Sequence, residues 1–392
     1  MKVITFLSLS LFFLPSSFAQ QPFKQIDRDL AKVARRFPFV GFAVGVVDTK
    51  AVLFSKGYGY ADAKQKKPFT ERTIQPIGSV SKTFIGLALL KAVELHYFKE
   101  ETPINDIIPF SVVNPHRPND TIRVRHLFTH TSGILDNEST YLKTYQLNKT
   151  PDRSLADFLQ DYLVEGGAYY EISNFGTDAV GRRYQYSNVA SALAAYLVEA
   201  SSGMSFDQFT EQHIFRPLKL QDTHWFYNEK KVDQYATLYE LSDTEYPGFD
   251  QLRNEDNSLK LYSCITYPDG SLRTSLTDLE QYVQELLQGY HNHSSLFSRD
   301  FCSALFQPQF DTANLPLNMD KNSVNQAVFW TYNRKNRFIH TGSDPCVFAV
   351  ISLDLENGIG RIVVINTGVD SDDNEKLVNG VQAISAALEN LD

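Results

Sequence analysis

From Phe84 to Leu95 the chain reads Phe-Ile-Gly-Leu-Ala-Leu-Leu-Lys-Ala-Val-Glu-Leu, with almost no polar face. A helix that is apolar around its whole circumference has to be buried, so this run calls for a fold large enough to enclose it. The chain has the means: 392 residues, 43% apolar, with 28 Phe and 20 Tyr. Just before the run stands Gly78-Ser79-Val80-Ser81-Lys82. Residues at i and i+3 share a helix face, which puts Lys82 beside Ser79. Ser79 then lies at a helix N-terminus, where unpaired N–H groups carry partial positive charge. An amine beside a hydroxyl at such an end is one way to make a serine nucleophilic. The same spacing also fits a capped helix with a snorkelling lysine.

Two further segments favour the chemical reading. Tyr184-Gln185-Tyr186-Ser187-Asn188 leads into a helical run, Ala190 to Ala200, that stops near Gly203. His340-Thr341-Gly342-Ser343 sits between a short strand-like piece and the apolar run Val347–Leu353. With S-V-S-K, Y-S-N and H-T-G in this order, the chain resembles the serine β-lactamase and penicillin-binding protein superfamily, whose signature in one branch is S-x-x-K, S-D-N and K-T-G. The versions here are similar to the class C β-lactamase-related branch of esterases, D-aminopeptidases and DD-peptidase-like proteins. The segment Val124-Arg125-His126-Leu127-Phe128-Thr129-His130-Thr131-Ser132-Gly133-Ile134 adds to the likeness, which extends from about Phe42 to the C-terminus.

The resemblance implies roles residue by residue. Ser79 matches the nucleophile that forms an acyl-enzyme. Lys82 and Tyr186 match the proton-transfer pair, and the sequence leaves open which of them is the base. Asn188 matches the asparagine that bonds the lysine and the substrate amide. The Ser79 and Ser343 amides match the oxyanion hole. Gly342 matches a glycine that lets substrate lie along a strand edge. His340 replaces the lysine of the K-T-G relatives. An unperturbed imidazole titrates near 6.5, so it is mostly neutral at pH 7.5 and gains charge toward pH 6. His130 and Ser132 read as scaffold. Val180-Gly181, Pro268-Asp269-Gly270-Ser271 and Cys346 depart from the family pattern and bear on the shape of the pocket. The aromatic stretch from Gly166 to Phe175 reads as packing, with an acyl pocket as the alternative.

The fold expected is α+β, of the β-lactamase/transpeptidase-like kind. Its antiparallel sheet is built from both chain ends and flanked by helices, and its middle is mostly helical. A signal peptide over 1–19 precedes a single catalytic domain over 20–392, with the sheet part at about 20–78 and 325–392 and the helical part at about 79–324. Strands are expected over Gly41–Val47, Val52–Tyr58, Ala327–Tyr332, Val347–Leu353 and Gly360–Asn366. Phe23–Phe37, Ser154–Val164 and Ser205–Ile214 read as helices. Thr277-Asp278-Leu279-Glu280 has capping-box spacing and opens a helix ending at Gly289. Leu377, Val381, Ile384, Leu388 and Leu391 mark a last helical stripe.

Met1-Lys2, the apolar stretch Val3–Leu14 and the small-x-small site Ser17-Phe18-Ala19 have the layout of a secretory signal peptide. The stretch falls short of the ~20 residues needed to span a bilayer. The expected location is therefore exported, periplasmic or secreted, in a bacterium, with no membrane span after the signal is removed. A net charge of −9 argues against a nucleic-acid partner. Cys264, Cys302 and Cys346 are odd in number, and packing thiols are expected; no metal-ligand spacing and no cofactor is indicated. The function expected is a serine hydrolase acting on a small-molecule or short-peptide ester or amide, possibly a D-amino-acid peptide. A true β-lactamase is the alternative within the enzymes. A penicillin- or muropeptide-binding sensor that acylates without turnover is the alternative of another class.

Overall fold

The computed structural model describes residues 21–240, 250–319, 323–368 and 375–389. The signal-like segment and Leu391 lie outside them.

The strands alternate as the sequence demands. In β1 (Gly41–Asp48), Phe42, Val44 and Val46 face one layer, and Ala43 and Val47 face the other. Both faces are covered, which accounts for an apolar run without a polar side. β1 pairs antiparallel with β2 (Val52–Asp62), which in turn pairs with β3 (Lys67–Pro68). The remaining strands come from the far end of the chain: β4 (Ser323–Gln326), β5 (Thr331–Asn333), β6 (Phe338–Asp344), β7 (Val347–Asp354) and β8 (Ile359–Ile365). The eight-stranded order is β3-β2-β1-β8-β7-β6-β5-β4. The two halves join where β1 meets β8, in register from Phe42 opposite Ile365 to Asp48 opposite Ile359.

On the outer face lie α1 (Gln21–Arg36) and the last helix, Glu375–Glu389. Ile26, Leu30 and Val33 of the one, and Leu377, Ile384 and Leu388 of the other, form one cluster with Phe42, Val44, Val363 and Ile365. The inner face is covered by the helix Leu276–Tyr290, and α2 (Lys82–Glu94) lies in the same core against that helix. Phe84 of α2 stacks on Tyr282 with ring centroids 4.3 Å apart. Residues Lys82 to Leu90 of α2 are all buried, as an all-round apolar helix must be. The helical middle also contains Leu155–Leu163, capped by Ser154, and α3 (Asn188–Ser202), which ends at Gly203 with φ +71. The fold is thus α+β, with a large antiparallel sheet drawn from both chain ends.

Three expectations need correction. Ala327–Tyr332 is not one strand: Phe329 has φ +56 and the Ala327 amide donates to the Trp330 carbonyl, so the chain turns there between β4 and β5. The apolar run misled because Trp330 and Phe329 are buried in a turn. The helix Leu276–Tyr290 is capped by Ser275, whose hydroxyl accepts from the Asp278 amide, not by Thr277. Helix Phe206–Thr210 passes into a wider π-type turn over Glu211–Phe215 instead of continuing as a regular helix.

The aromatic stretch packs. Phe175 is buried and Tyr169 lies against Phe158. The three cysteines are buried free thiols. No helix among the described residues is long and apolar enough to cross a membrane.

Candidate active site

Ser79 is held on a single 3₁₀ turn, Gly78–Ser81, that runs directly into α2. Gly78 starts the turn at φ +52, a left-handed conformation that glycine adopts without strain. Ser81 is buried: its hydroxyl donates to the Gly78 carbonyl at 2.6 Å and accepts from the Leu272 amide at 3.1 Å. The second serine of S-V-S-K therefore ties the turn down and leaves Ser79, only half-buried, at the cleft.

One residue later Lys82 begins α2, completely buried. Its Nζ makes three hydrogen bonds: to Ser79 Oγ at 3.0 Å, Asn188 Oδ1 at 2.7 Å and the Asp269 carbonyl at 2.6 Å. An ammonium would donate to all three; a neutral amine would donate to the two carbonyl oxygens and accept from the Ser79 hydroxyl. The i, i+3 geometry expected of Ser79 and Lys82 is present.

Asn188 is brought to Lys82 by the start of α3. Asn188 is not the cap of that helix. Ser187 is, its hydroxyl accepting from the Ala190 amide at 3.0 Å. Asp136 completes the cap: its carboxylate accepts from the Ser187 hydroxyl at 2.7 Å and from the amides of Asn188 at 2.7 Å and Val189 at 3.0 Å. A carboxylate at a helix N-terminus satisfies donors that would otherwise be unpaired. With Asp136 doing this work, the Asn188 side chain is free to bind Lys82. Nothing marks Asp136 in the sequence except its nearness to the His130–Ile134 segment.

Tyr186 lies at the cleft wall, 42% exposed, with Lys82 Nζ 5.0 Å from its ring centroid. His130 stacks on the ring. Its Nδ1 accepts from the Ser187 amide at 3.2 Å and its carbonyl accepts from the Gln185 amide at 2.8 Å. Burial, with Lys82 nearby, holds the His130 imidazole well below the usual histidine range. The scaffold role of His130 is thus visible. Ser132, which accepts from the Ile134 amide at 3.2 Å, has the same character.

The third motif lies on β6. Because β6 pairs with β5 only through Phe338 and Ile339, its edge from His340 onward is open beside Ser79. Gly342 has a different task from the one the resemblance implies. A Cβ there would sit 2.0 Å from the Ile77 carbonyl and about 3 Å from the Val80 and Ser79 amides, so the missing side chain admits the nucleophile's own turn. Ser343 is correspondingly close, its amide nitrogen 2.8 Å from where a Gly78 Cβ would stand. His340 is buried, with Nδ1 donating to the Thr341 carbonyl at 2.8 Å. Burial, then the charge of Lys82, push its pKa down to about 3. It therefore does not titrate toward pH 6 as an exposed histidine would.

Two hollows flank Ser79. One, of about 530 Å³, is lined by His130, Tyr184, Tyr186, Phe329, His340 and Thr341 among others. The smaller, of about 270 Å³, is lined by Tyr141, Tyr145, Asn188, Asp269 and Asp344 among others. Each of these aspartates is held by tyrosine: Tyr141 donates to Asp269 Oδ1 at 2.9 Å, and Tyr145 and Tyr262 donate to Asp344. Burial raises the Asp344 carboxyl to about 6 and the Asp269 carboxyl to about 7. Cys346, at the β6–β7 turn, takes φ +63, which explains why glycine suits that position. Among the described residues no group of His, Cys, Asp and Glu is arranged to hold a metal ion.

The family model described as Beta-lactamase matches residues 30–383, and the chain belongs to that family. It is 26% identical over 244 residues to Penicillin-binding protein 4* of Bacillus subtilis, a match covering 60% of this chain and 50% of that protein. It is 22% identical over 351 residues to Protein flp of Staphylococcus aureus strain MW2, covering 88% of this chain and 63% of that one. The chain thus spans between half and two thirds of the length of these relatives. In fold it is similar to the octameric penicillin-binding protein homologue from Pyrococcus abyssi, with a TM-score of 0.68 at 19% identity, covering 94% of this chain and 77% of the other. Membership of the family supports, at a coarse level, an acyl-enzyme mechanism on a serine.

Proposed function

We propose that the protein is an exported serine hydrolase that cleaves an ester or amide through an acyl-enzyme on Ser79. The observation that carries this is the Lys82 Nζ, sealed from water and bonded at once to Ser79 Oγ, Asn188 Oδ1 and the Asp269 carbonyl. A cation so placed favours the alkoxide that attacks, and disfavours any state in which the serine proton returns to the lysine.

With Lys82 protonated, the proton goes to Tyr186. Tyr186 accepts it as the phenolate, with Lys82 Nζ 5.0 Å from its ring centroid. As Ser79 Oγ bonds to the substrate carbonyl carbon, the carbonyl electron pair moves to oxygen. The Ser79 and Ser343 amides receive that oxyanion; one such donor is typically worth ~2.7–4 kcal/mol. Tyr186 then protonates the leaving group as its bond to carbon breaks. Water, giving its proton to Tyr186, attacks the ester and releases Ser79. Asn188 aligns the acyl amide while holding Lys82.

Substrates with an uncharged leaving side suit this cleft better than penicillins, because neutral His340 stands where K-T-G relatives place a cation. A short D-amino-acid peptide or a simple ester is the substrate class we favour. The signal-like start, Met1-Lys2 followed by Val3–Leu14 and Ser17-Phe18-Ala19, supports a periplasmic or secreted protein. A mature N-terminus near Gln20 is the corresponding mass-spectrometric result.

The deciding experiment offers purified protein a fluorophosphonate probe, a fluorescent penicillin, a short-chain p-nitrophenyl ester and D-Ala dipeptides, with Ser79→Ala alongside. Turnover lost in Ser79→Ala is expected. Stable penicillin labelling without turnover of any substrate would replace the hydrolase with an acylating sensor. Undiminished labelling of Ser79→Ala would remove Ser79 from the chemistry.

A further inference from the structure

We propose that Asp269 is a positioning residue whose carboxyl, buried beneath Lys82, sets the proton balance of the Ser79–Lys82–Tyr186 group. The proposal rests on the functional reading above and adds a residue that the three motifs do not contain.

Asp269 meets Lys82 in two ways. Its carbonyl accepts from Nζ at 2.6 Å, which any residue could provide. Its side chain is the unusual part: an ionisable group 1% exposed at the base of the cleft. Oδ1 accepts from the Tyr141 hydroxyl at 2.9 Å, while Oδ2 is left without a formed hydrogen bond, the nearby Thr266 hydroxyl not completing one. A buried carboxylate with half its acceptor capacity unused is costly. The compensating charge close by is Lys82.

Among the described residues, the other groups facing it give no second cation. Tyr141 comes from the helical turn Glu138–Tyr141, Cys264 from the strand pair beneath, and Asp136 from the cap of α3. Asp344, with Tyr145 and Tyr262, lies at the end of β6, where Arg273 and Lys82 pull its carboxyl down against burial. His130 and His340, beyond Lys82, are held neutral by burial. Burial pushes the Asp269 carboxyl up to about 7 against the pull of Lys82 and the Tyr141 hydroxyl. A negative charge therefore comes and goes beneath the amine across the neutral range. When present it favours protonated Lys82 and disfavours a Tyr186 phenolate. Either effect acts on the transfer of the Ser79 proton.

The test is the pH profile of kcat/KM for an uncharged p-nitrophenyl ester between pH 5 and 9. Asp269→Asn keeps the carbonyl and the shape but removes the charge, so the acidic limb is expected to move down by about one pH unit. Tyr141→Phe, which raises the Asp269 pKa by removing a donor, should move it the same way by less, and carries the test if Asp269→Asn does not fold. Asp344→Asn, at a carboxyl whose charge is shared with Arg273, should move the limb less than Asp269→Asn does. A purely structural role would lower thermal stability without moving the limb, and that result overturns the proposal. So does a shift that follows Asp344→Asn instead. Wild-type protein that neither turns over the ester nor labels with fluorophosphonate removes the functional reading itself, and this inference with it.

Discussion

His130 lies nearly face to face with Tyr186, their ring centroids 4.3 Å apart and their planes inclined by 29°. The histidine is at φ +54 and buried, and it also touches Tyr184 and Phe329 edge-on. The tyrosine that we assign to proton transfer is thus positioned by a ring fixed from three sides. His130→Asn tolerates the left-handed backbone but removes the imidazole. Its stability should fall by about 1–3 kcal/mol in denaturant titrations. Turnover of a neutral ester should fall about 10–100-fold, as expected when a reacting group is misplaced by an ångström or so. Wild-type turnover in a destabilised variant would limit His130 to folding.

Lys82→Ala and Tyr186→Phe should each slow acylation by about two orders of magnitude or more. The double variant should lose far less than the product, because the two groups serve one proton transfer. Single-turnover labelling rates measure this. Near-wild-type acylation by Tyr186→Phe would give the base role to Lys82.

The buried imidazole of His340 gives a distinctive pH signature. With its pKa near 3, His340 stays neutral from pH 5.5 to 8. The ratio of kcat/KM for a carboxylate-bearing β-lactam to that for a neutral ester should therefore be flat over this range. His340→Lys supplies a cation on a stem long enough to reach the cleft. It should raise that ratio about tenfold, since charge-assisted bonds are roughly twice as strong as neutral ones. A wild-type ratio that climbs steadily as pH falls to 6 would show that His340 does ionise there.

Gly342→Ala puts a methyl 2.0 Å from the Ile77 carbonyl. The clash is with backbone, so β6 or the Ser79 turn has to move. A loss of about 1–3 kcal/mol is expected from overpacking, along with a labelling rate at least tenfold lower because Ser79 and Ser343 separate. Thermal unfolding and fluorophosphonate kinetics measure the two effects. Unchanged labelling would mean that the strand and the turn do not need this close approach.

The parts of the site legible in the sequence were those fixed by short spacing. Ser79 and Lys82 share one helical turn, and the Y-S-N and H-T-G segments mark themselves by motif and order. The strands Gly41–Asp48 and Val347–Asp354 were legible because short apolar runs rich in β-branched residues need no partner to be recognised. Asp136, Asp269 and Tyr141 were not, because each acts on a residue far away in the chain and has no local pattern. The burial of His340 was hidden for a related reason. Alternation in β6 tells which face a residue takes, but not that the strand is closed against the Ser79 turn and Lys82, so the imidazole pKa could not be anticipated. At Phe329 a left-handed backbone broke an apolar run that read as a strand.

The joining of β1 to β8 has a consequence for biosynthesis. Ser79 emerges from the ribosome early, but the strand that flanks it, and the β8 partner that closes the sheet around β1, emerge only after most of the chain. Such long-range pairing folds slowly, and chains of this size expose apolar surface while they wait. A nascent or C-terminally clipped chain would carry the serine and the lysine without the strand that brings the Ser343 amide to them. Ser79 and Lys82 therefore lack the Ser343 amide until synthesis is nearly finished.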